Sequence, residues 1–176
     1  MPNLVDNRVV VRGCAADLAG FLGNHVRTTP WSSGAPELDF GSIIPVHASH
    51  STDEAIAAWG TKWNARDTVI LTAERHEVEV NFTTAWTMPE PVYRRLGQLY
   101  PRLSFVIEAI DPDLWAVEGW VEGGRAEFRE AADFASIFAR FYDAREDHDI
   151  TTGSHVAGSD ANAAEMLIRT IERRYR

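Results

Sequence analysis

Glu77-Val78-Glu79-Val80-Asn81-Phe82 sets polar and apolar side chains on alternate residues. A period of two sends them to opposite sides of an extended chain, so this stretch predicts a strand with one face in a core and the other polar. Just upstream, Val69, Leu71 and Ala73 predict a partner strand, and the polar turn Glu74–His76 joins the two as a hairpin. Near the start, Val9 and Val11 alternate with Arg8, Val10 and Arg12 in a first strand closed by Gly13. Ala15–His25 follows with Leu18, Phe21 and Leu22 at helical spacing. Downstream of the hairpin, Pro89 and Pro91 open a helix striped by Val92, Leu96 and Leu99, which Pro101 ends. Leu103, Phe105, Ile107 and Ala109 then make one face of a fourth strand. The order βαββαβ is the split βαβ arrangement of ferredoxin-like α+β folds, an antiparallel sheet with helices on one face.

The remaining segments extend this frame. Asp111-Pro112-Asp113 is turn chemistry, and Trp115–Val121 with Arg125–Arg129 predicts an added hairpin around Gly123-Gly124. Phe134, Ile137, Phe138, Phe141 and Tyr142 recur at helical spacing. After the polar stretch Asp147–Gly158, a final helix carries Leu167, Ile168, Ile171 and Tyr175 on one side. This divides the chain into a ferredoxin-like domain over 1–129 and a C-terminal helical extension over 130–176, packed on that domain or on a partner. Residues 27–52 are rich in Pro, Ser, Gly and His around an apolar island at Phe40, Ile43 and Ile44. Loops of that length tend to be functional or partly ordered. Asp53 is placed to cap a brief helix that runs through Trp59.

Composition narrows the function. The 176 residues carry 17 cations against 26 carboxylates, a formal charge of −9, which repels a nucleic-acid backbone unless the cations gather on one face. The polar side of the sheet is expected to show Arg8, Arg12, Glu77, Glu79, Asn81, Ser104 and Glu108, carboxylates standing where RNA-binding relatives of this architecture place stacking aromatics. Eighteen Trp, Phe and Tyr residues supply a full core. One cysteine, Cys14, excludes an intrachain disulfide and reads as a small hydrophobe. No apolar run spans a bilayer and no signal segment is evident, so a cytoplasmic protein is expected.

Trp59-Gly-Thr-Lys-Trp-Asn-Ala65 with Asp67, and Phe82-x-Thr84-Ala85-Trp86-x-x-Pro89-x-Pro91, closely resemble the YubB-like ferredoxin-like domain family. Shorter matches are Pro2-Asn3 with Asn7, Leu38-Asp39-Phe40 with Ile43-Ile44-Pro45, and Tyr100-Pro101-x-Leu103-x-Phe105, together covering about the first two thirds of the chain. Where that family has Trp-Cys after its first Asn, this chain has Leu4-Val5. The resemblance implies the fold reached from periodicity and carriage on phages or plasmids; it supplies no activity.

Both tryptophan segments flank the central hairpin, so Trp59, Lys62, Trp63, Asn64, Asp67, Thr84 and Trp86 are expected at one end of the sheet as a ligand-binding corner. Three indoles there would wall a pocket, with Lys62 as cation and Asn64 as donor and acceptor. The structural alternative packs the tryptophans in the core, spends Asn64 on loop backbone and pairs Lys62 with Asp67. Lys62 is the one lysine beside 16 arginines, which suggests an ammonium is needed at that place. His47-x-x-His50 with Asp53, and Asp147-His148-Asp149 with His155, lack the three or four convergent ligands a metal needs, so no metal and no cofactor are expected. The expected function is a non-enzymatic binding or accessory protein of mobile-element origin, acting on a host or self protein partner. Phe134, Phe138 and Phe141 offer a homodimer face. The rival reading is an enzyme in which Lys62 and Asp67 act on a small anionic substrate.

Overall fold

The structure is a computed structural model that describes residues 3–29, 32, 34–112 and 114–146. Six antiparallel strands form one sheet: β1 (Leu4–Arg12), β4 (Arg66–Ala73), β5 (Glu77–Ala85), β6 (Ser104–Asp111), β7 (Trp115–Glu122) and β8 (Arg125–Glu130). Their spatial order is β4-β5-β1-β6-β7-β8. The first four are the ferredoxin-like sheet, with β5 slotted between β1 and β4, and β7–β8 is a hairpin added at the β6 edge. Helices α1 (Ala15–His25) and α4 (Glu90–Leu99) supply the two crossovers. Between α1 and β4 lie a small ladder of β2 (Val26–Arg27) with β3 (Glu37–Leu38), then α2 (Phe40–Ile43) and α3 (Thr52–Trp59).

The alternation in β5 has the predicted consequence. Val78, Val80 and Phe82 are buried with Val9, Val11, Phe105 and Ile107 in one core, closed by Leu18, Phe21 and Leu22 of α1 and by Val92, Tyr93 and Leu96 of α4. Cross-strand register aligns Val9 with both Val80 and Ile107, so each strand sends the same parity inward. In β4 the expected parity holds at Ala73 but not at Val69 and Leu71. Ile70 and Ala73 pack on the core, whereas Val69 and Leu71 stay 50% and 58% exposed. Register shifts between Arg66 and Val69 and between Ile70 and Thr72 insert residues into this strand, and each insertion flips the side chains that follow. The cap of α3 also differs: Ser51, not Asp53, accepts from the Glu54 backbone N–H, and Glu54 reaches back to the Ser51 N–H in a capping box.

On the polar face of the sheet the arginines and glutamates form an ion-pair ladder. Arg8 bridges Glu79 at 2.8 Å and Glu108 at 3.0 Å, and Arg12 binds Glu77 at 2.6 Å. Hydrogen bonds from Arg8 to Glu79 hold its guanidinium above the usual arginine range. Helix α5 (Phe134–Glu146) lies against this face. Its Ile137 and Phe141 are buried on Ile110 and Ala116, Arg140 binds Glu108, and the Tyr142 hydroxyl donates to Asp6. The aromatic stripe therefore divides, because Phe134 and Phe138 keep 39% and 36% exposure while Phe141 is committed to its own sheet. Phe141→Ala is expected to cost about 3 kcal/mol and Phe138→Ala less than about 1 kcal/mol, read by chemical denaturation of the full chain. Equal effects would contradict this packing. The predicted final helix, with Leu167, Ile168, Ile171 and Tyr175, and the Asp147–His155 segment lie outside the described residues.

Candidate functional site

The loop after α3 is tied to the end of β5. Gly60 caps α3 at φ +78°, and a Cβ there would come within 2.8 Å of Pro91 Cδ. Thr61 Oγ1 accepts from the Ala85 N–H and donates to the Ala85 carbonyl, while Thr87 donates to the Gly60 carbonyl. These bonds bring the two tryptophan segments together at one end of the sheet, yet six of the seven predicted residues divide among three environments and Asp67 stands apart from all of them.

Thr84 belongs to the interior. Its hydroxyl accepts from Asn7 Nδ2 at 3.0 Å and donates to the Thr87 carbonyl, and Asn7 Oδ1 accepts from the buried Tyr93 hydroxyl. Burial pushes the Tyr93 phenol well above its ordinary range.

Lys62 and Trp86 form the second environment. The Lys62 Nζ lies 4.8 Å from the Trp86 ring centre and 5.5 Å from that of Trp63, at cation–π distance from both. Asp67 is not its partner; that carboxylate accepts from the Thr83 hydroxyl at 3.2 Å. Trp86 and Asp67 both hold left-handed backbone, at φ +71° and +53°, which costs energy for the bulky indole of Trp86 and is tolerated by the short polar side chain of Asp67. Lys62→Met is expected to lower stability by about 0.5–1 kcal/mol, with Lys62→Arg retaining most of it. Thermal denaturation of both variants is the check, and a wild-type midpoint for Lys62→Met would show the cation to be idle.

Trp59, Trp63 and Asn64 share the third environment, a cleft of about 300 Å³ that also involves Glu37, His50, Ala65 and Arg66. Trp86 does not line it, so the three indoles do not wall one pocket. Trp59 is buried, donates from Nε1 to the Ile44 carbonyl at 2.9 Å, and meets the rings of Phe40 and His50 edge to face. Asn64 is spent on structure: its Oδ1 accepts from the Phe40 N–H at 2.7 Å and its amide donates to Asp39. The Arg66 guanidinium rests 4.1 Å from the Trp63 ring centre. His50 donates from Nδ1 to the His47 carbonyl, which leaves Nε2 as the ring's acceptor. Among the described residues no three His, Cys, Asp or Glu side chains gather as a metal site, and no helix is long and apolar enough to cross a membrane.

Glu37 is the residue that sequence reading missed. It sits on β3 at 7% exposure, and its Oε2 has no hydrogen-bond partner. Burial lifts its carboxyl to about 7; the Asp67 carboxylate adds to the rise, while Arg66 and the Asp67 backbone N–H oppose it. The Trp63 Nε1 is likewise buried without an acceptor. One signal was available, since Glu37 directly precedes Leu38 and the apolar island that starts at Phe40, but strand parity in a two-residue ladder cannot be read from sequence.

A family model, the ferredoxin-like domain in Api92-like protein, matches residues 58–153. The chain belongs to this family. The matched span begins one residue before Trp59, so it includes the whole tryptophan loop and the central hairpin. The crystal structure of a protein api92 from Yersinia pseudotuberculosis is similar, with a TM-score of 0.55 at 9% identity over 76% of this chain and 100% of that one. At that identity the likeness establishes the ferredoxin-like fold. No curated protein matches the chain.

Proposed function

We propose that this Api92-like chain is a non-enzymatic binding protein and that its recognition site is the Trp59–Trp63 cleft. The observation that carries the reading is the pair of unpartnered buried polar atoms, Glu37 Oε2 and Trp63 Nε1, on residues that line one cavity. Each costs about 1–3 kcal/mol when left unpaired, a cost that a ligand removes. The cavity volume lies at the small end of the range for small-molecule sites. The centre of recognition thus moves from Lys62 to Glu37, with Lys62 bracing the outer side through Trp63 and Trp86. A mobile-element origin belongs to the same proposal and rests on the likeness of the Trp59–Ala65 and Phe82–Pro91 motifs to YubB-like domains. Nucleic acid is not proposed as a partner, because the sheet face that would meet it holds paired carboxylates and the chain carries a charge of −9.

The test is a thermal-shift screen of a small-molecule library against wild type and Trp63→Phe, a variant that keeps an aromatic ring but removes the indole N–H. Compounds that protect wild type and lose their effect on the variant are the expected result. A library that protects neither protein, or both alike, overturns the assignment. An enzymatic reading has one observation in its favour: a buried carboxyl near neutrality suits proton transfer. In that reading Glu37 replaces the Lys62–Asp67 pair as the acid–base group, and turnover of a protecting compound, abolished in Glu37→Gln, distinguishes it from simple binding.

A further inference from the structure

Resting on that binding reading, we propose that the cleft takes a compact uncharged ligand carrying both an N–H donor and a carbonyl acceptor, of the lactam or nucleobase kind. Glu37 Oε2 would receive the N–H, and the Trp63 indole N–H would reach the carbonyl.

The remaining polar atoms of the wall narrow the class. Trp59 Nε1 is spent on Ile44, both ends of the Asn64 amide are spent on Phe40 and Asp39, and Ser32 is closed in a turn with Thr29. Among the buried polar atoms of this wall, what is left unmatched is one acceptor, Glu37 Oε2, and one donor, Trp63 Nε1, with the His50 Nε2 as a second acceptor beside them. A ligand that only accepts leaves the ionised Glu37 unpaired, and one that only donates leaves Trp63 unpaired. Charge narrows it further. A cation entering the cleft meets the Arg66 guanidinium that already rests on the Trp63 ring, with Lys62 nearby on the same indole. An anion meets the buried Glu37 carboxyl. An uncharged group carrying both polarities avoids both penalties. The apolar part of the wall, Trp59 with Ala48 and Ala65, suits a flat ring.

The experiment follows the indole N–H resonances of the nitrogen-15-labelled full chain at neutral pH, with Trp63 assigned through Trp63→Phe. The probes are uracil and pyridone, their N-methylated counterparts dimethyluracil and N-methylpyridone, and the charged pair benzylammonium and benzoate. Uracil or pyridone is expected to shift the Trp63 resonance, with the N-methylated forms at least tenfold weaker. Glu37→Leu should weaken the active probe at least tenfold, whereas Glu37→Gln, whose amide oxygen still accepts, should lose much less. Equal affinity for methylated and unmethylated probes overturns the proposal. A response to benzylammonium or benzoate alone overturns this ligand class and leaves the cleft as a binding site. No response to any probe also overturns the class, while the library screen judges the binding reading separately.

Discussion

Replacing Asn7 by Leu is expected to cost about 3–4 kcal/mol, the largest effect among the substitutions considered. Asn7 is fully buried in β1 and is the hub of three hydrogen bonds: Nδ2 donates to the Val5 carbonyl and to Thr84 Oγ1, and Oδ1 accepts from Tyr93. Leucine has a similar size, so the loss is polar rather than a cavity. The Tyr93 hydroxyl, from α4, is left without an acceptor in an interior where water cannot replace it. The non-additivity of the pair is the sharper measurement. Tyr93→Phe alone should cost about 1–2 kcal/mol, and the double variant should be less destabilised than the sum of the two, because no orphaned hydroxyl remains. Strict additivity in urea denaturation would show that the Asn7–Tyr93 bond contributes nothing. The result also bears on Thr84, whose place in this network makes it a strut between β5 and β1 rather than a ligand contact.

Glu37→Gln is expected to stabilise the protein by about 2–3 kcal/mol at pH 8 and to change little at pH 4.5. The folded-state carboxyl is raised to about 7 from an ordinary value of 4.5, chiefly by burial. A raised acid contributes stability that is fully present below 4.5 and is lost as pH rises through 7. Above that pH the fold holds a buried charge that the unfolded chain solvates freely. Glutamine removes the charge and retains the shape. His25 has the opposite slope, since burial lowers its imidazole to about 4 from 6.5, with Arg27 adding to the fall and Asp39 opposing it. Its neutral ring is held between Ser42 and the Tyr100 hydroxyl. Its stabilisation is complete above 6.5 and declines as pH falls towards 4. Comparing wild type with Glu37→Gln at each pH cancels the histidine and isolates Glu37. A variant no more stable than wild type at pH 8 would mean that the Glu37 charge is solvated in the folded protein. A residue that weakens the fold at physiological pH and lines a cleft fits a part retained for binding.

The amino-acid sequence by itself determined the sheet and its order of elements, because alternation in β1, β5 and β6 and the helical stripes of α1, α4 and α5 are local periodicities that burial enforces. It also placed the tryptophan loop beside the end of β5, since both flank one hairpin. Other features needed the folded chain. The phase of β4 was hidden because inserted residues in the strand shift its pairing, and parity is blind to insertions. Which face α5 covers was decided by contacts with Ile110, Ala116 and Glu108, residues distant in sequence whose strand positions alone do not name a partner helix. The assignment of Lys62 to two indole faces, and of Asn64 to backbone, depended on where unpaired N–H groups and ring faces lay once the loop had closed. Glu37 was least legible of all. It sits in a two-residue strand within a polar loop, and its raised carboxyl arises from burial against elements that meet it only in three dimensions. Hydrophobic period is a property of the chain, whereas an unpaired buried atom is a property of the packed fold.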